Sequence, residues 1–114
     1  MNDCLFCKMI AGEIPCDIVY ENESVFAFRD IDPKAPTHIL LIPRKHFRSI
    51  NDLGEPEQTL AGELLVTAKK IAMDDGIDEY GFRTIFNTNS DRGQTVFHIH
   101  MHILGGRKMA WPPG

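Results

Sequence analysis

The stretch His98-Ile99-His100-Met101-His102-Ile103-Leu104 carries most of the information about both fold and chemistry. Histidines alternate with apolar residues, which is the period-two pattern of a β-strand with one buried face. The apolar side chains then face the core. The three histidines share the other face, with a spacing of about 6.6 Å along the strand. They cannot form an ordinary core, because their ring nitrogens all need hydrogen-bond partners.

Three interpretations of the histidine face are open: a solvated strand face, a three-histidine metal site, or nucleophilic catalysis. The metal site is disfavoured because three imidazoles on one straight strand reach too far to share an ion. Catalysis is favoured because a neutral imidazole is a good nucleophile and neighbouring imidazoles can move protons. The preceding loop agrees with catalysis, since its backbone N–H groups and hydroxyl could hold phosphate oxygens. Its residues of interest are Asn87, Gly93, Gln94 and Thr95.

The rest of the chain predicts a small α+β domain with an antiparallel sheet. A short helix is expected at 5–12 and a long one at 56–74, whose apolar face is Leu60, Leu64, Ala68, Ile71 and Ala72. That long helix should cover one face of the sheet. Five strands are expected, at 18–20, 25–28, 37–42, 82–87 and 94–104, with a polar turn at 88–93.

Length and charge narrow the function classes. The 114 residues are enough for one domain, and the formal net charge of −4 argues against a general nucleic-acid binder. No apolar run approaches the roughly 20 residues of a membrane span. The first residues lack the basic start and apolar stretch of a signal peptide, so a cytoplasmic protein without a membrane partner is expected.

The histidine stretch matches the His-φ-His-φ-His-φ-φ signature, in which φ is apolar, and the sequence resembles the histidine triad (HIT) superfamily. Further matches are Cys4-Leu5-Phe6-Cys7-Lys8, Phe28-Arg29-Asp30-Ile31, Ala35-Pro36-Thr37-His38, Gly93-Gln94-Thr95-Val96-Phe97 and Gly105-Gly106-Arg107. The ending Trp111-Pro112-Pro113-Gly114 is similar to the Hint branch, the histidine triad nucleotide-binding proteins that hydrolyse purine nucleoside phosphoramidates.

The resemblance implies a fold and an assembly. The fold is HIT-like, a five-stranded antiparallel sheet with one long and one short helix, and residues 1–114 form a single HIT domain. The assembly is a homodimer whose sheets join into about ten strands, which would also pair open sheet edges. The tail of each subunit would then place Trp111 at the leaving-group site of the other subunit.

The resemblance also implies a mechanism without a catalytic cofactor. His100 attacks the α-phosphorus of a purine nucleoside 5′-phosphoramidate, such as adenosine 5′-monophosphoramidate, and forms a nucleotidyl-histidine that water then hydrolyses. His102, His98 and His38 complete the catalytic cluster, and His102 also contacts the phosphate. The implied nucleotide-binding residues are Phe6, Phe28, Asp30, Ile31, Asn87, Gly93, Gln94, Thr95, His100 and His102. Family members often carry serine at the position of Thr95, which keeps the hydroxyl but adds a methyl.

A metal site is also expected near the N-terminus. Cys4 and Cys7 have the spacing of a two-thiolate zinc knuckle, and His46 and His98 would complete a closed tetrahedral set. Several members of the superfamily that this chain resembles bind zinc with this set, so we expect a structural zinc. The alternative is two reduced cysteines packed as small apolar residues.

Two other functions remain open from the sequence. One is hydrolysis of dinucleoside polyphosphates, the activity of the neighbouring fragile-histidine-triad branch, whose members lack the tail found here. The other is a nucleotide-binding regulatory protein whose catalysis is incidental. The intact histidine face favours an enzyme.

Overall fold

The computed structural model describes residues 3–89 and 93–114. Two α-helices and five strands follow in the order α1 (Leu5–Ile10), β1 (Ile18–Glu21), β2 (Val25–Arg29), β3 (Thr37–Pro43), α2 (Gln58–Asp74), β4 (Phe82–Phe86) and β5 (Met101–Gly105). Two short 3-10 helices, Ile50–Asp52 and Glu55–Glu57, precede α2. The chain therefore has the predicted α+β composition, with one long and one short helix.

The strands form one antiparallel sheet in the order β1-β2-β3-β5-β4. The strand that comes last in the sequence is thus inserted between β3 and β4. Its first residue, Met101, pairs with Leu41 on one side and Phe86 on the other. The prediction of a five-stranded antiparallel sheet is confirmed.

The sheet has two chemically different faces, because side chains alternate along each strand. The face under α2 is an apolar core, whose buried members are Val25, Ala27, Ile39, Leu41, Leu64, Ala68, Ile71, Ala72, Ile77, Met101 and Ile103. The opposite face packs against α1 through a smaller core of Phe6, Phe26, Phe28, Leu40 and Ile42. The predicted helix covers one face as expected, and the second face is left for the histidines.

The prediction of a fifth strand over 94–104 is wrong at its first half, since β5 begins only at Met101. Extension of the β3–β5 register would bring Ile99 opposite Pro43, which has no backbone N–H to donate. Ile99 N–H donates instead to the carbonyl oxygen of Phe47, at 2.7 Å. The segment before β5 is therefore held by the loop after β3, and the three histidines do not share one regular strand.

The other predicted elements lie close to their expected places. The short helix ends two residues before Gly12, which has a φ of +80°. Residues 90–92 of the predicted polar turn lie outside the described residues. Among residues 3–89 and 93–114, none of the helices has the length and apolar character needed to cross a lipid bilayer.

Candidate active site

The histidines gather between α1 and the sheet face opposite α2. The ring centroids of His100 and His102 are 5.0 Å apart, and those of His102 and His38 are 5.2 Å apart. Phe6 of α1 packs edge-on against His100, with 5.1 Å between centroids. His38 comes from the start of β3, His102 from β5 and His100 from the residue before β5, so two neighbouring strands and the segment leading into one of them supply the cluster.

The hydrogen bonds of His100 determine its tautomer. Its Nδ1 lies 2.8 Å from the carbonyl oxygen of His98, and a carbonyl can only accept. Nδ1 therefore carries the proton, and the Nε2 lone pair of the neutral ring has no hydrogen-bond partner among residues 3–89 and 93–114. Burial lowers the pKa of His100, although the same hydrogen bond partly offsets that effect. A neutral ring with a free Nε2 is the form that a nucleophile requires.

A second chain of hydrogen bonds fixes the other two rings. The backbone N–H of Lys34 donates to His38 Nδ1 at 3.0 Å, so His38 carries its proton on Nε2. That Nε2 lies 2.9 Å from His102 Nδ1 and donates to it. His102 must then be protonated on Nε2, which lies 3.5 Å from Asn87 Nδ2. Two donors cannot bond each other, so this tautomer requires the Asn87 amide to be turned over, with its oxygen accepting from His102. The cluster therefore offers a proton donor, at His102, close to the unprotonated Nε2 of His100.

Asp30 lies at the edge of this cluster. One carboxylate oxygen is 3.4 Å from His38 Nε2, and the other accepts the backbone N–H of Asp32 at 2.8 Å. Asp30, His38 and His102 lie close enough to share an ion. A cation at His38 Nε2 would have to displace the proton that the Lys34 bond places there, so hydrogen bonding explains this cluster better than metal binding.

Desolvation keeps the buried histidines neutral near pH 7. It lowers the pKa of His102 to about 4, and the neighbouring rings add to the shift. It also lowers the pKa of His38, and the nearby Asp30 carboxylate opposes this effect. The tautomers deduced above are therefore those of neutral rings.

A cavity of about 230 Å³ opens in front of His100 and His102. Its lining includes Phe6, Phe28, Asp30, Ile31 and Thr95, which the family resemblance implies as nucleotide-binding residues. Phe6 and Phe28 are each 3% exposed and also belong to the core, whereas Ile31 is 94% exposed at the rim. One wall of the cavity is thus rigid and aromatic, and one edge is open.

The predicted phosphate loop approaches the cavity from the end of β4. Gly93 has a φ of +93°, a conformation that side chains strain, and Thr95 is exposed. Gln94 is 2% exposed, and its amide donates to the carbonyl oxygens of Arg48 and Val96. Its oxygen accepts the backbone N–H of Asn89 at 2.7 Å. The side chain of Gln94 therefore braces the loop from within.

The four predicted metal ligands meet in one cluster beside α1. Cys4 Sγ is 3.4 Å from His98 Nδ1, and Cys7 Sγ is 3.6 Å from that atom. His46 Nδ1 lies 3.5 Å from Cys7 Sγ and 3.2 Å from His98 Nδ1. In a tetrahedron with zinc–sulfur bonds of about 2.3 Å and zinc–nitrogen bonds of about 2.0 Å, ligand atoms are separated by roughly 3.3–3.8 Å. The cluster has very nearly the dimensions that zinc requires.

The outer hydrogen bonds of the cluster also suit a metal. His98 Nε2 donates to the carbonyl oxygen of Pro43 at 2.8 Å, which leaves Nδ1 unprotonated toward the thiols. Cys4 Sγ accepts the backbone N–H of Cys7. Burial, helped by Cys4, raises the pKa of the Cys7 thiol to about 11, so a cation would have to displace that proton. The residues present fit zinc.

The C-terminal tail crosses the far edge of the sheet without regular structure. Arg83 of β4 donates to the carbonyl oxygen of Ala110 at 2.9 Å, which fixes the direction of the tail. Trp111 is 82% exposed within one chain. It does not line the cavity of its own chain.

Sequence reasoning missed several groups that shape the site. The Lys34 N–H and the Pro43 carbonyl act through the backbone, so no side-chain signal could have revealed them. Met9, Cys16, Leu40 and Val96 also line the cavity, and their apolar type is indistinguishable from core.

Comparison with known proteins identifies the family. The family model described as the HIT domain matches residues 11–109. The chain belongs to the HIT family. It is 50% identical to an uncharacterized HIT-like protein of Synechococcus elongatus over 112 residues, covering 98% of this chain and 97% of that protein. It is also 50% identical over 105 residues to the purine nucleoside phosphoramidase of Escherichia coli K12. That alignment covers 92% of this chain and 88% of the E. coli protein.

Solved structures of the HIT family agree with this fold. A HIT family hydrolase from Legionella pneumophila superimposes with a TM-score of 0.96 at 53% identity, covering 98% of this chain and all of that one. A histidine triad protein from Clostridium difficile gives a TM-score of 0.93 at 46% identity, with 96% of each chain covered. The fold of this HIT protein is therefore shared along almost its whole length.

Proposed function

We propose that this HIT protein hydrolyses the P–N bond of purine nucleoside 5′-phosphoramidates of the adenosine 5′-monophosphoramidate type. The observation that carries the proposal is the hydrogen bond from His100 Nδ1 to the His98 carbonyl, which leaves Nε2 free at the cavity. The 50% identity to the phosphoramidase of E. coli supports the choice of substrate.

The reaction proceeds in two displacements. His100 Nε2 attacks the α-phosphorus, so that an N–P bond to the enzyme forms and the substrate P–N bond breaks. The departing amine takes a proton, for which the Nε2–H of His102 is the nearest donor deduced from the tautomers. Water then attacks phosphorus and gives a proton to His102 Nε2, the bond to His100 breaks, and the nucleoside monophosphate leaves. No cofactor is needed.

The remaining residues hold the nucleotide. Asp30 is suited to accept both ribose hydroxyls, since its carboxylate lines the cavity. Phe6 and Phe28 form the wall for the purine, and Ile31 closes its edge. The phosphate lies near Asn87, the Gly93 backbone and the Thr95 hydroxyl, with the loop braced by Gln94. His98 and His38 act as positioning residues for His100 and His102.

The cluster of Cys4, Cys7, His46 and His98 binds a structural zinc in this proposal. Four protein ligands leave no open position for water or substrate, so the ion stabilises the fold and takes no part in the chemistry. The three cysteines are free in this structure, as expected for the reducing cytoplasm, which we propose as the location.

The functional unit in this proposal is a homodimer. β4 is an edge strand of the sheet, and Phe82 on it is 37% exposed. Pairing of this edge with a second copy would join two sheets into one of about ten strands. Trp111 would then leave solvent and approach the leaving-group site of the partner.

Incubation with adenosine 5′-phosphoramidate tests the proposed reaction. We expect release of AMP and, after rapid acid quench, a transient protein adduct heavier by one adenylyl group. A parallel incubation uses diadenosine triphosphate. Faster turnover of that compound would instead identify a dinucleoside polyphosphate hydrolase. AMP binding without turnover of either compound would identify a nucleotide-binding regulatory protein.

A further inference from the structure

Asp75 lies on the face of the sheet opposite the histidines, directly after the end of α2. It contacts the ends of two neighbouring strands. Its carboxylate accepts two hydrogen bonds from Arg29, the last residue of β2, with Nη2–Oδ1 at 2.6 Å and Nη1–Oδ2 at 3.4 Å. Thr37, the first residue of β3, donates its hydroxyl to Oδ2 at 2.6 Å. One carboxylate therefore joins both strand ends.

The residues that follow these two contacts belong to the active site. Asp30 follows Arg29 in the sequence, and His38 follows Thr37. Because side chains alternate along a strand, Arg29 and Thr37 face α2 while their successors face the cavity. Asp30 and His38 also touch each other, through the Asp30 N–H bond to the His38 carbonyl at 2.9 Å. Asp75 thus contacts, from the opposite face of the sheet, the two strand ends that carry Asp30 and His38.

Stability alone is a poor explanation for this arrangement. A carboxylate at the C-terminal end of a helix faces the negative end of the helix dipole, which is unfavourable. The Arg29 and Asp75 side chains are 38% and 22% exposed, so screening by solvent reduces what the ion pair contributes to stability. Arg29 and Thr37 nevertheless lower the pKa of Asp75, so the carboxylate is charged at neutral pH.

We propose that Asp75 is a positioning residue for ribose recognition, which acts by fixing the separation and orientation of Asp30 and His38. The proposal rests on the proposed function in one respect, namely that Asp30 accepts the ribose hydroxyls. Loss of the Asp75 contacts removes the side-chain link between the end of β2 and the start of β3, so that only the backbone hydrogen bonds hold them together. The Asp30 carboxylate then loses its alignment, although it remains in the cavity.

Ligand binding tests this role without any need for turnover. Calorimetry compares the affinities for AMP and for 2′,3′-dideoxy-AMP, which lacks both ribose hydroxyls. The ratio of the two affinities isolates ribose recognition from the rest of the nucleotide. The variants are Asp75→Asn, which keeps size but removes charge, and Thr37→Val, which removes one hydrogen bond and keeps the ion pair. Asp74→Asn is the matched control, because it removes the same charge from the neighbouring position.

We expect Asp75→Asn to reduce the ratio by about five- to tenfold, since small misplacements of a binding group are costly. Thr37→Val should reduce it about twofold, as expected for the loss of one hydrogen bond among several. Asp74→Asn should keep the wild-type ratio. In an Asp30→Ala background, Asp75→Asn should no longer weaken AMP binding, because the group through which it acts is gone.

Two results would overturn the proposal. One is an unchanged ratio in folded Asp75→Asn, or in Thr37→Val if Asp75→Asn does not fold. The other is a wild-type protein with no preference for AMP over the dideoxy nucleotide. Failure of the wild-type protein to cleave adenosine 5′-phosphoramidate, with the ratio behaving as expected, would refute the proposed reaction and leave the role of Asp75 intact.

Discussion

The carbonyl oxygen of His98 accepts a hydrogen bond from His100 Nδ1 at 2.8 Å, while the His98 ring faces the thiols of Cys4 and Cys7. One residue therefore serves the candidate metal cluster with its side chain and the proposed nucleophile with its backbone. The tautomer of His100 depends on the position of that carbonyl. The thiol cluster can therefore affect the proposed catalysis by shifting the segment that carries this carbonyl.

Replacement of His100 should remove the covalent step. We expect His100→Ala to keep its fold, because the substitution removes a single imidazole at the cavity wall. Its kcat should fall by at least about 10³-fold, because the covalent step is lost. Steady-state kinetics with adenosine 5′-phosphoramidate, together with mass spectrometry of the quenched protein, measure both effects. Thr95→Ala is the comparison, because it removes a phosphate contact and should cost less. Adduct formation by His100→Ala would contradict the assignment of the nucleophile.

Zinc should be present at about one ion per chain in protein prepared without chelators. Cys7→Ser should abolish it and lower the thermal midpoint of unfolding, whereas Cys16→Ser, which alters the third cysteine outside the cluster, should retain it. Chelation of the wild-type protein should lower that midpoint more than it lowers the activity of molecules that remain folded. Elemental analysis that finds no zinc would refute the metal site and leave the proposed hydrolase untouched.

The pH dependence of stability should reflect the buried histidines. His102 has a pKa of about 4 in the folded protein, below the value of about 6.5 of an unfolded chain. Between these values the unfolded state binds a proton that the folded state does not, so stability falls as the pH falls from about 6.5 toward 4. Above pH 7 this contribution is constant. Urea denaturation from pH 4 to 8 measures it.

Carboxylates also titrate at the acidic end of this range, so the comparison must be made with a variant that lacks the histidine. His102→Gln should show a weaker loss of stability between pH 6.5 and 4 than the wild-type protein. Equal slopes for the two proteins would show that His102 is not held neutral by burial.

The tail should affect the leaving group more than the nucleotide. Light scattering at micromolar concentration should give the mass of a dimer. Removal of residues 109–114 should change the ratio of kcat/KM values for small and bulky amine substituents, with little effect on AMP affinity. Trp111→Ala is a smaller change that should shift the same ratio. A monomer in solution would refute the dimer, and an unchanged ratio would refute the role of the tail.

The sequence was informative wherever local patterning decided the structure. Residue spacing predicted α2 with its apolar face, and alternation predicted that Met101 and Ile103 lie in the core while His102 faces the other side. The strand at 94–104 was predicted too long because a partner lacking an N–H, Pro43, cannot be inferred from the pattern of the strand itself. The order and register of the strands place Pro43 beside the segment before β5. Local sequence patterns encode neither the order nor the register.

The sequence is enough to predict which residues form the candidate site, but not which nitrogen of each histidine carries the proton. The histidines, Asp30 and the cysteine pair were found from their types and from family resemblance. The tautomers depend on the Lys34 N–H and the His98 carbonyl, which are groups that every sequence contains. Asp75 was not found, because it lies far from the histidines in sequence and on the opposite face of the sheet.

The position of β5 in the sheet has a consequence for how the protein is made. β5 comes last in the sequence, yet it separates β3 from β4. During synthesis the growing chain can pair β1, β2 and β3, but β4 has no neighbour until β5 leaves the ribosome. Closure of the sheet requires contacts between residues far apart in sequence, which is entropically slow. Because β5 carries His102, sheet closure and formation of the histidine cluster are a single event, and a chain caught before it lacks that cluster.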